Sequence, residues 1–149
     1  MIRAFALTLL ASFACLAADF TGVWKMDPAK SDYGLLPMPD SVTLDVKQTG
    51  ESVEMKFAQE GGRAPAQYTH KYSIDGKESV NELLGNQMKT VASKQGESLK
   101  FSSTVNYRGR DLRIADTWTM AADGKSMVYK RNIAAPELTI DVTMTMLKQ

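Results

Sequence analysis

The feature that most limits what this chain can fold into is a set of turn dipeptides, Thr49-Gly50, Asp75-Gly76, Gln95-Gly96, Arg108-Gly109 and Asp123-Gly124, flanked by alternating apolar and polar residues. Such pairs signal hairpins, because glycine supplies the positive φ that tight turns between twisted strands demand. No window carries a helical period, and the segments between turns are rich in Val, Thr, Tyr and Ile. The pattern predicts ten strands, near residues 20-26, 41-48, 51-58, 67-74, 77-83, 87-94, 97-107, 110-121, 125-133 and 137-147.

Register is the sharper test. A two-residue turn sets which residues face each other, and a slip of one residue would carry every side chain to the other face. Around Asp123-Gly124 the expected pairs are Met120 with Met127, Trp118 with Tyr129, Asp116 with Arg131 and Ile114 with Ile133. Around Thr49-Gly50 they are Val46 with Val53, Leu44 with Met55 and Val42 with Phe57. Gln95-Gly96 sets Ala92 against Leu99 and Thr90 against Phe101, and Arg108-Gly109 sets Val105 against Leu112 and Ser103 against Ile114. All agree on one inner face. A meander with one apolar side leaves raw edges unless it closes, so the expected fold is all-β, an up-and-down antiparallel β-barrel of 8-10 strands. A flattened barrel or two packed sheets without a usable cavity is the alternative.

The links sort by end. DPAKSDYGLLPMP, AQEGGRAPA, LGNQ and AAPE follow odd-numbered strands and gather at one end, where only Arg108-Gly109 is tight. In binding barrels the long-loop end is the mouth, which makes the segments around Leu35-Leu36 and Gly61-Gly62 candidate lids.

Residues 1-17, MIRAFALTLLASFACLA, stand apart: a basic residue, an apolar run and small residues before Ala17 describe a secretory signal. The run is too short to span a membrane. Cleavage after Ala17 or Ala18 would leave a single domain, 18-149, in the periplasm or outside the cell. Ser12-Phe13-Ala14 is a poor lead-in to a lipidated Cys15, so a lipoprotein is not expected. Cys15 is the only cysteine, so the exported domain would hold no disulfide and no thiol chemistry. Without Arg3 the 18 basic residues drop level with the 17 acidic ones. A neutral chain with no basic block argues against nucleic acid or an anionic membrane as partner.

The opening DFTGVWKM and the long link after it resemble the calycin barrels. Lipocalins start their first strand with Gly-x-Trp, matched by Gly22, Val23 and Trp24, and fatty-acid-binding proteins open with a similar Thr-Trp-Lys and have ten strands in about this length. WKMDPAKSDYG also resembles a group of secreted bacterial lipocalin-like proteins. The resemblance implies a lipocalin-like barrel and a small hydrophobic ligand. There are departures. The segment 27-40, with Pro28, Pro37 and Pro39, cannot hold the two helices of fatty-acid-binding proteins. Their Arg-x-Tyr carboxylate clamp on the last strand finds only Tyr129-Lys130-Arg131, reversed and one strand early. The arginine that covers the lipocalin tryptophan has no counterpart beyond Arg131 or Lys148.

Asp116 and Arg131 are the candidate chemistry, a charged pair on an otherwise apolar inner face. Such a pair is costly to desolvate, so it implies either a device that fixes the hairpin register or a wet cavity open to a ligand. In the second case Arg131 receives an acidic head group, with Asp116, Tyr129, Trp118, Ser103, His70 and Phe101 as further ligand-binding candidates. In the first, Trp24, Phe101, Trp118, Tyr129 and the methionines fill the interior and the barrel serves as a structural or protein-interaction module. His70, the sole histidine, lies inward between Tyr68 and Tyr72 without a paired cysteine or acid at metal spacing, and reads best as a satisfied interior residue. Inward methionines suit Cu(I), but they fill irregular gaps more often, and no metal or cofactor is expected. No nucleophile triad, phosphate loop or metal triad is present, so a noncatalytic role is expected. A small-barrel isomerase or cyclase using Asp116 and His70 is the third reading.

Overall fold

The computed structural model describes residues 17–149; residues 1–16, with Cys15 and all but the last residue of the expected signal, lie outside the described residues. The described chain is ten strands without a helix: β1 (Gly22–Asp32), β2 (Pro39–Thr49), β3 (Ser52–Gly61), β4 (Ala66–Ser73), β5 (Asp75–Leu83), β6 (Asn86–Gln95), β7 (Ser98–Tyr107), β8 (Arg110–Met120), β9 (Ser126–Ala135) and β10 (Leu138–Lys148). They form one antiparallel sheet in the order β4-β3-β2-β1-β10-β9-β8-β7-β6-β5. The first and last strands pair, so the up-and-down barrel is complete except between β4 and β5.

The hairpins at Asp123-Gly124 and Arg108-Gly109 have the expected register, with Asp116 opposite Arg131, Trp118 opposite Tyr129 and Val105 opposite Leu112. The other two are shifted: Val46 faces Met55 and Ala92 faces Phe101. Glycine's place in the turn is the cause. Gly50 and Gly96, at φ 57° and 59°, are the first loop residue rather than the second. That is the demand of a turn with positive φ at its first central position. The shift is two residues, so every side chain keeps its face.

The links also differ from expectation. β1 runs on to Asp32, so DPAKSD is strand, with Pro28 in a bulge between Asp27, paired with Thr145, and Asp32, paired with Thr143. A bulge asks no ladder hydrogen bond of a proline. LGNQ contracts to the turn Leu84-Gly85, both residues at positive φ, and AAPE to Pro136-Glu137. Extended links at the mouth are therefore only 33–38 and 62–65.

Asp75-Gly76 makes no hairpin, because β4 and β5 are the two sheet edges. Side chains bridge them instead. Asn81 Oδ1 accepts from the Lys71 N–H at 2.8 Å while its Nδ2 donates to the Lys71 carbonyl at 2.9 Å. Ser79 Oγ accepts from the Ser73 N–H at 2.7 Å, and the His70 ring meets the Glu82 carbonyl at 2.9 Å. These bonds satisfy edge groups that a backbone ladder would otherwise take.

The floor end is packed solid. Phe20, Trp24, Trp118, Met127 and Met146 are fully buried there. Trp24 donates its indole N–H to the Phe20 carbonyl at 2.8 Å, which draws the incoming chain across the floor. Gly22, at φ 145°, leaves room for Lys148: a Cβ would meet Lys148 Cε at 2.7 Å. The Lys148 ammonium lies 5.6 Å from the Trp24 ring centroid, so the cation over the Gly-x-Trp tryptophan is Lys148 and not Arg131.

Candidate functional site

The inner face changes character along the barrel axis. From the floor upward Phe20, Trp118, Phe101, Tyr72, His70, Tyr68 and Phe57 form one unbroken run of ring contacts, with centroids 4.3 to 5.9 Å apart. Trp118, Phe101 and Tyr72 fill the lower half, whereas Phe57 and Tyr68, stacked at 4.7 Å, stand as a wall above it. That wall faces a cavity of about 530 Å³ open at the mouth, lined beside the β4–β5 edges by Gln59, Ala66, Gln67, Glu82, Leu83 and Leu84 and on the far side by Leu112, Ile114 and Ile133. Arg131 is its deepest lining residue on β9, one inward position below Ile133.

Opposed positions on β8 and β9 make Arg131 and Asp116 a bidentate pair, Nε to Oδ1 and Nη2 to Oδ2, both at 2.8 Å. Tyr129 completes the cluster: its hydroxyl donates to Asp116 Oδ2 at 3.1 Å and accepts from Arg131 Nη2 at 2.6 Å. Asp116 keeps 9% of its side chain exposed and Arg131 22%, so the carboxylate is shielded and the guanidinium reaches the cavity. The Tyr68 hydroxyl, on the cavity wall, also stands within reach of the Arg131 guanidinium. Burial is the largest influence and opposes the Arg131 charge, but the Asp116 carboxylate together with Tyr129 and Tyr68 beside it outweighs burial, and the guanidinium is held cationic.

Burial likewise raises the hydroxyls of Tyr68 and Tyr129, against the pull of the Arg131 charge, and pushes Tyr33 up to about 12. All three remain neutral donors at ordinary pH. Tyr33 enters from the 33–38 link and donates to Met144 Sδ at 3.1 Å. Gly34 permits this approach, since at φ 56° a Cβ would meet the Asp141 carbonyl at 2.9 Å. Leu36 packs on the core and Leu35 stands in solvent, so this candidate lid is anchored inside the barrel.

His70 is held in one tautomer. Its Nε2 faces the Glu82 carbonyl, which only accepts, so Nε2–H donates and Nδ1 accepts from the Tyr72 hydroxyl at 2.9 Å. Burial lowers its pKa, the Glu82 hydrogen bond opposes this, and the Arg131 charge adds to the lowering. The ring is a neutral clip across the β4–β5 seam.

Arg131, Asp116 and Tyr129 thus stand together, and Arg131 alone of the expected ligand residues lines the mouth cavity. Ser103 is buried against Thr90, Oγ to Oγ1 at 2.7 Å. His70 backs the Tyr68 wall, while Trp118 and Phe101 belong to the filled half. The sequence-based set omits Tyr68 and the aliphatic walls. The hairpin arithmetic that placed Ile114, Ile133 and Leu112 inward was the signal for part of that wall; nothing local marks Tyr33 as an inward residue.

Among solved structures the chain is similar to the zebrafish ileal bile acid-binding protein complexed with cholic acid, 19% identical over 87% of this chain and 98% of that one, TM-score 0.61. A secretory abundant heat soluble protein from Ramazzottius varieornatus is 10% identical over 87% and 95%, TM-score 0.62. The Schistosoma mansoni fatty acid binding protein in complex with arachidonic acid is 15% identical over 87% and 96%, TM-score 0.53. These likenesses establish the fold, a calycin-type barrel of the kind fatty-acid-binding proteins have. No protein-family model matches the sequence, and no curated protein matches it at a significant level.

Proposed function

We propose that this protein is an exported, noncatalytic barrel that binds a small, largely hydrophobic molecule in the mouth cavity, its acidic head group on Arg131. The observation that carries the reading is the cavity itself: about 530 Å³, mostly apolar walls with Gln59, Gln67 and Glu82 also in the lining, and one guanidinium at its base beside the Tyr68 hydroxyl. A largely apolar pocket with few placed polar groups is the general form of a small-molecule site. The neighbouring barrels named for bile acid and fatty acid support the ligand class. The signal-like residues 1-17 support export to the periplasm or beyond.

Native mass spectrometry of gently purified protein, followed by titration with fatty acids and a hydrophobic dye, tests the binding. A bound mass, or saturable uptake lost in Arg131→Met, is the expected result. A clean apo mass with no uptake would instead favour a structural or interaction module, a reading to which the filled lower half lends its weight. N-terminal sequencing of protein from cell fractions tests export, with a start at residue 18 or 19 expected.

A further inference from the structure

From the depth of the cavity we infer that the ligand is a short acidic amphiphile, its apolar part reaching no more than about eight carbons beyond the head group, inserted head first; this rests on the binding reading above. The cavity is closed below Arg131. Tyr129 lies one inward position below it on β9, fully buried with Trp118 opposite, and Leu99, Met127 and Met146 are buried toward the floor. Above Arg131, β9 has four residues left before its end at Ala135. At about 3.3 Å per residue and a strand tilt near 40°, that leaves roughly 10 Å to the rim. An extended chain advances about 1.3 Å per carbon, from a C–C bond of about 1.5 Å, so about eight carbons span it.

The polarity gives the direction. The cation is at the base and the aliphatic walls stand above it, ending at Leu84, which is 71% exposed. A tail-first ligand would set its apolar end on Arg131 and its acid among leucines. A longer tail, entering head first and fully extended, would pass the rim into water, where further methylenes add nothing.

Calorimetric titration of the whole protein with straight-chain alkanoates from four to fourteen carbons, below their micelle concentrations, is the test. Affinity should rise about four-fold per methylene, the equivalent of about 0.8 kcal/mol, up to about eight carbons and then flatten. A rise that continues to fourteen carbons would overturn the inference while leaving the acid-binding reading intact. Binding by no acid of any length would sink both. Fluorescence fixes the direction independently, because the only two tryptophans, Trp24 and Trp118, lie in the filled half. An octanoate with a terminal bromine should bind without quenching them, and quenching on binding would mean that the tail points to the floor.

Discussion

The two halves of this barrel are built from the same strands with the same alternation, yet they do opposite things with their inward positions. In the lower half those positions hold Trp24, Trp118, Leu99, Met127 and Met146, all essentially without solvent contact. In the upper half Tyr68, Leu83, Leu112, Ile133 and Ile140 are partly exposed, beside the buried Phe57 and Ile114. Between them lies a polar belt of Asp116–Arg131–Tyr129, Thr90–Ser103 and His70–Tyr72, each internally hydrogen-bonded. The difference teaches that the stabilising core and the candidate site are separate layers of one sheet, so substitutions can address one without the other.

The largest expected effect tests that separation. Trp118→Ala in the packed half should cost about 3–5 kcal/mol of stability, from lost transfer energy and a cavity that the closed sheet cannot collapse. Ile133→Ala, at a half-exposed wall, should cost about 1 kcal/mol, because its methyl groups already meet solvent. Urea denaturation measures both. Equal losses would show that the mouth half is as tightly packed as the floor.

The next effect addresses the belt. Asp116→Leu removes the partner of a largely buried guanidinium and should destabilise by about 3 kcal/mol. Asp116→Leu with Arg131→Met replaces the whole pair by apolar groups and should return to within about 1 kcal/mol of the parent, since such replacements are often neutral. The double variant should also have lost alkanoate binding in calorimetry. If it folds well and still binds the acids at parental affinity, the pair serves only the hairpin register.

These layers were unevenly legible in the sequence. Alternation and turn glycines give the inner face even where the register is off by two, because period-two side chains are indifferent to an even shift. The Asp116–Arg131 pairing follows from the same arithmetic. What alternation cannot convey is size in three dimensions. Trp118 and Ile133 are equally inward on paper, and only the crossing of Phe20 and Phe101 over Trp118, at 5.8 and 4.8 Å, makes one a plug and leaves the other a wall. The β4–β5 seam was likewise hidden. Asn81 and Ser79 look like ordinary polar strand residues until the two edges meet.

A smaller effect comes from His70, which clips that seam. Its folded pKa lies below the ordinary 6.5, so as pH falls past 6.5 the unfolded chain binds the proton first and stability declines with pH until the folded ring also titrates. The Asp19 and Asp75 carboxyls, lowered from 3.8 by hydrogen bonds to the Thr21 and Ser73 side chains, lose their contribution only in stronger acid. Urea midpoints between pH 7 and 5 should therefore fall in the parent and stay nearly level in His70→Gln. Protection from hydrogen exchange at β4 and β5, relative to the intrinsic rate at each pH, should fall over the same range in the parent alone. A parent curve that is flat through this window would mean that the ring protonates without strain.

The smallest effect discriminates within the mouth itself. Leu84 and Leu35 are both surface leucines near the rim, 71% and 83% exposed, but only Leu84 lines the cavity. Neither Leu84→Ser nor Leu35→Ser removes much buried area, so both should stay within about 0.5 kcal/mol of the parent in stability. On octanoate they should part. The last carbons of a head-first chain reach the level of Leu84, and losing that contact should weaken binding by about two- to four-fold, the worth of part of one methylene to a whole one. Leu35→Ser should leave the affinity unchanged, because Leu36 and Tyr33, not Leu35, turn toward the interior. Equal weakening by both would place the ligand across the 33–38 link rather than inside the walls, and would move the site outside the upper half altogether.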